Sequence, residues 1–74
     1  MTHPFTPPTW HKPDGSNLAC VEKIKVLNEN LQELRDLAQD AIDDAVLMGG
    51  TQSQIKQTLL DMIANLSSQY PEQS

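Results

Sequence analysis

One pattern limits what this chain can fold into more than any other. Cys20, Ile24, Leu27, Leu31, Leu34, Ala38, Ala41, Ala45 and Met48 stand alternately four and three residues apart. That spacing lays a single apolar seam along a long helix, the signature of a coiled-coil-like contact. Leu, Ala, Glu, Gln, Lys and Asp dominate the stretch, and no proline or glycine breaks it. They are good helix formers or are tolerated in helices. Gly49-Gly50 ends the run, because a glycine just past the last turn accepts the left-handed backbone that closes a helix.

A second amphipathic segment begins at once. Thr51 and Gln54 form a capping box, in which hydroxyl and amide each satisfy an orphan backbone donor. Ile55, Leu59, Leu60, Met62, Ile63 and Leu66 supply a broad apolar face. Ser67-Ser68 and Pro71 mark the end of the helix, and the last residues are expected to be disordered. A two-residue glycine link turns two helices antiparallel, side by side. The fold expected is mainly α: an antiparallel hairpin with a long helix over about 18–48 and a shorter one over about 52–67. Small Ala38, Ala41 and Ala45 would receive large Leu59, Met62, Ile63 and Leu66, while Leu37, Ile42 and Val46 widen the stripe.

Ahead of the hairpin, residues 1–16 hold four of the five prolines, so no helix forms there. This extended arm still carries Phe5 and Trp10, two of the three aromatic residues. A purely solvated tail rarely holds such a share, so part of the arm is expected to pack on the helices. Pro13-Asp14-Gly15 is a turn signal that would close a short two-stranded β-ribbon, with Trp10 facing Leu18. The simpler alternative is an isolated turn, with Ser16 or Asn17 as the cap of the first helix. Domain organisation then reads as arm (1–16), hairpin (17–68) and disordered carboxyl terminus (69–74).

Lengths set the next expectation. The first helix would run near 45 Å and the second near 24 Å, at about 1.5 Å per residue. The shorter one then reaches back only to about Leu34, leaving the seam from Cys20 through Ile24, Leu27 and Leu31 open. Either the arm or a second subunit would cover it. The favoured answer is a homodimer in a four-helix arrangement, with those four residues carrying self-association. At 74 residues the chain is near the size at which one core barely offsets chain entropy.

Charge narrows the partners. The net charge is −5. Through residue 25, Lys12, Lys23 and Lys25 outweigh Asp14 and Glu22, whereas acidic residues dominate the remainder. An antiparallel pairing would bring the lysine end of one copy toward the acidic end of the other. Such a surface disfavours nucleic acid and anionic membranes, and no stretch is apolar enough to span a bilayer. The lone cysteine excludes a disulfide scaffold and, with no charged-then-apolar leader, argues for a reducing cytoplasmic setting.

Asp36, Asp40, Asp43 and Asp44, with Glu33, form the most conspicuous polar cluster. The plain reading is a solvated helix face; the sharper one is a surface for a basic protein partner, with Trp10 as a further recognition residue if it is exposed. A specific metal site is disfavoured, for no ligand motif accompanies the aspartates. His3, His11 and Cys20 match no structural-zinc spacing and lack a fourth ligand. Cys20 reads as a small buried apolar residue. Asn28, Asn30 and Gln32 interrupt the apolar character of the first half, and Asn28 borders the seam where a polar group can fix register. No catalytic residue and no cofactor are assigned, since no nucleophile stands in a defensible pattern with a base.

At Pro13-Asp14-Gly15-Ser16, at residues 22–31 (Glu-Lys-Ile-Lys-Val-Leu-Asn-Glu-Asn-Leu) and at Ala38-Gln39-Asp40-Ala41, the chain resembles a group of short proteobacterial helical proteins with no assigned activity. The likeness spans about residues 9–65. It implies a bacterial cytoplasmic protein and transfers no site residue. The hairpin outline is also similar to small plasmid-copy-control RNA-binding hairpin dimers, a function the acidic surface argues against. The leading expectation is a non-catalytic interaction or regulatory module. The alternatives are an RNA-binding hairpin dimer, or an accessory protein that uses the aspartate face for a metal or a basic partner.

Overall fold

The computed structural model describes residues 5–72. Two helices form, α1 (Val21–Leu47) and α2 (Gln52–Ala64). They pack on each other as an antiparallel hairpin, and no strand forms among the described residues.

The link between them follows from its residues. Gly49 adopts φ +99°; its N–H donates to the Val46 carbonyl at 3.0 Å and the Gly50 N–H to the Ala45 carbonyl at 2.8 Å. This pair of bonds, spanning three and five residues, is a Schellman closure that satisfies two orphan carbonyls of α1. A Cβ built on Gly50 would stand 3.0 Å from the Ala45 carbonyl oxygen, so both glycines are needed, each for a different reason. Thr51 then caps α2: its hydroxyl accepts from the Gln54 N–H at 3.2 Å. That is one half of the capping box; the Gln54 side chain makes no return bond among the described residues.

The helix ends depart from expectation in two places. Cys20 occupies the N-cap of α1 with no side-chain capping bond, because Ser16 and Asn17 are used in the preceding turn. α2 stops at Ala64, three residues early. Asn65 ends it: the Asn65 Nδ2 donates to the Asp61 carbonyl at 2.8 Å, a local bond that competes with continued helix. Leu66 therefore lies beyond α2 and is exposed. At about 1.5 Å per residue, α1 is near 40 Å and α2 near 20 Å, so α2 reaches back along α1 to about Arg35.

The turn before α1 is closed by backbone bonds. Gly15 N–H donates to the Lys12 carbonyl at 2.9 Å, Lys12 N–H to Ser16 at 2.7 Å and Leu18 N–H to Trp10 at 2.9 Å. His11 and Asn17 form one antiparallel bridge. Gly15 sits at φ +90°, the left-handed position that follows the turn in a three-residue hairpin loop. Asp14 secures it, accepting from both the N–H (2.9 Å) and the hydroxyl (2.6 Å) of Ser16. These bonds hold the Asp14 carboxyl below the ordinary aspartate range, the Ser16 hydroxyl contributing most.

The molecule is elongated, with extents of 46 × 26 × 17 Å. Its radius of gyration is 15.5 Å, against about 11 Å for a compact domain of this length.

Candidate functional site

The amino-terminal arm doubles back along the first half of α1. The Phe5 N–H donates to Gln32 Oε1 at 2.9 Å, and the Trp10 indole N–H donates to Asn28 Oδ1 at 2.9 Å. Asn28 and Gln32 lie four residues apart, on one helix face, and so make two rungs for an extended segment running against the helix. The Gln32 amide passes the chain of bonds on, with Nε2 donating to Asp36 Oδ1 at 3.0 Å. Phe5, Pro7, Val21 and Ile24 line an open apolar groove between arm and helix. Trp10 is half-buried with its donor committed within the chain, an arrangement that makes it an anchor of the arm. The pairing of two aromatic residues in the arm with two amides at helical spacing was the available sequence signal for this contact.

The seam divides into two stripes. Ile24, Leu31, Ala38 and Ala45, at seven-residue intervals, are all half-buried, as are Asn28, Arg35 and Ile42 beside them. This side faces the arm at one end and α2 at the other, where Ala45, Ile55 and Thr58 line one cleft. The alternate positions Leu27, Leu34 and Met48 are exposed; only small Ala41 is half-covered. Leu37 and Val26 extend the exposed stripe. Cys20, read from the sequence as buried, is exposed at its N-cap position. Among the four residues assigned to self-association, then, Ile24 and Leu31 are half-covered, while Cys20 and Leu27 are open.

Asp36, Asp40, Asp43 and Asp44 are all exposed; Asp36 borders the arm through Gln32, and Asp43 lines a cleft with Gln52 of α2. Two of them are tied down locally: Gln32 donates to Asp36, and Gln39 Nε2 donates to Asp43 Oδ1 at 3.1 Å. Gln57 and Asp61 repeat the device on α2 at 2.8 Å. Such pairs add a few tenths of a kcal/mol each to a helix. Arg35 pairs with its neighbour Asp36 at 3.2 Å. Asp40 and Asp44 make no side-chain hydrogen bond among the described residues and leave two carboxylates available to a cationic partner.

No group of three or more His, Cys, Asp or Glu side chains stands in position to hold a metal ion among the described residues. His3 lies outside them. No helix among them is long and apolar enough to cross a membrane.

No residue of the described chain is fully buried. The accessible surface is 6536 Å², against about 4,500 Å² expected of a compact monomer of this mass. The surplus is about 2,000 Å². Exposed apolar side chains along α1, Leu34 and Leu37 among them, are part of that surface. Compared with family models, curated proteins and solved structures, the chain matches none of them.

Proposed function

We propose that this chain is a non-catalytic helical-hairpin interaction module that self-associates into a four-helix arrangement and offers its aspartate face to a basic macromolecular partner in the cytoplasm. The observation that carries the reading is the absence of any buried residue among the described residues beside two well-formed helices. A hairpin with no interior has little to offset its chain entropy. Association supplies the missing burial: stable interfaces remove about 800 Å² per partner, and obligate ones more, within the surplus available. In this reading the short β-ribbon and Pro-rich arm serve as an intramolecular cover for the start of α1. Asp40 supports the second half of the reading, being an exposed carboxylate with no side-chain hydrogen bond among the described residues.

Sedimentation equilibrium across a wide concentration range tests the association. The expected result is a mass rising toward twice 8.2 kDa. The double change Leu27→Asp, Leu31→Asp is expected to return the chain to a monomer while helicity in the α2 half persists. A wild-type chain that stays monomeric at millimolar concentration would refute the reading.

A further inference from the structure

The exposed half of the seam has a heptad of its own. Lys23, Leu27, Asn30, Leu34, Leu37, Ala41, Asp44 and Met48 alternate four and three residues apart, and all but Ala41 are exposed. Leu34 is 49 % and Leu37 66 % exposed, although they sit in the middle of α1. The opposite stripe is taken by the arm and α2, so neither is positioned to cover this one. We infer that a second copy of this chain docks here, α1 against α1 in antiparallel orientation, with Leu34 and Leu37 packed on their counterparts about the two-fold axis.

Three observations favour a second copy as the occupant and fix its direction. The surface surplus is of the size an obligate dimer removes per subunit. The heptad is self-complementary at its middle when reversed, for Leu34 meets Leu37 and the polar Asn30 meets small Ala41, while toward its ends Leu27 meets Asp44 and Lys23 meets Met48. Its ends carry opposite charge. A two-fold between Leu34 and Leu37 brings Lys23 of one copy within about one helical turn of Asp44 of the other. The like-directed arrangement would stack Lys23 on Lys23 and Asp44 on Asp44, which is unfavourable. Asn30 beside Ala41 adds an uncharged polar position near the middle of the stripe, where such a group sets register. The inference rests on the self-association proposed above and moves its centre from residues 20–31 to residues 34–37.

The only cysteine of the chain reports on this arrangement directly. Cys20 is exposed at the start of α1, so a nitroxide label there leaves the stripe untouched. Pulsed electron-electron resonance on the full chain is expected to give a label separation of about 45 Å, thirty-one residues of helical rise. A separation near or below about 20 Å would mean a parallel pair, or an antiparallel one centred on residues 20–31, and would overturn the proposed face while leaving self-association standing. No dipolar signal, with a monomeric mass, would overturn both. The double change Leu34→Asn, Leu37→Asn supplies the independent check. Both side chains are open in the single chain, so helicity should be retained while the 45 Å signal disappears. An unchanged signal in that variant would sink the assignment of this face.

Discussion

Asp14 shows how a single side chain organises the approach to α1. It accepts two bonds from Ser16 across the turn, and those bonds favour its charged form. The folded pKa is therefore below the unfolded one. The stabilisation is fully present above the ordinary aspartate value, about 3.9, and is lost as pH falls through the depressed folded value. The Ser16 amide resonance should titrate with a midpoint below that ordinary value; a midpoint at or above it would contradict the bonding described. Pro13-Asp14-Gly15 made this turn legible, since each residue has one physical reason to be there. The capping role of Ser16 or Asn17 was misplaced for a related reason. A serine beside an aspartate turn can serve the turn or the helix, and only the path of the chain decides which.

The helix boundaries illustrate what element-scale patterns carry. Gly49-Gly50 placed the end of α1 because the left-handed position and the close approach to Ala45 both exclude a side chain. Gly49→Ala should lower hairpin stability by about 1–2 kcal/mol, the cost of a left-handed L-residue, read as a shift in the urea midpoint at unchanged slope. If the midpoint does not move, the link is not held as described. The end of α2 was less legible. Leu66 continues the apolar spacing of Ile55, Leu59 and Met62, yet Asn65 ends the helix before it through a bond to the Asp61 carbonyl. Periodicity extends past a boundary that one polar side chain sets. Asn28 and Gln32 were read as interruptions of an apolar face, whereas they hold the arm. Their partners lie 18 and 27 residues away in sequence, beyond the reach of any local pattern.

At the scale of the whole molecule, the elongated shape and the absence of a buried residue among the described residues tie stability to concentration. If folding and pairing are linked, a tenfold dilution lowers apparent stability by about 1.4 kcal/mol. The midpoint of thermal unfolding, followed by helical ellipticity, should then fall by several degrees per decade. A midpoint independent of concentration would mean that the hairpin is stable alone. The amino-acid sequence by itself determined two helices, their antiparallel turn and the excess length of the first, because these follow from local spacing, capping and glycine geometry. The seam is a different matter. Its nine residues look equivalent along the chain, since three-and-four spacing defines only an angular sector of the helix. Which half of that sector is covered depends on where α2 and the arm come to rest. That placement depends on contacts between residues far apart in sequence, so the open stripe through Leu34 and Leu37 was decided by the tertiary structure alone.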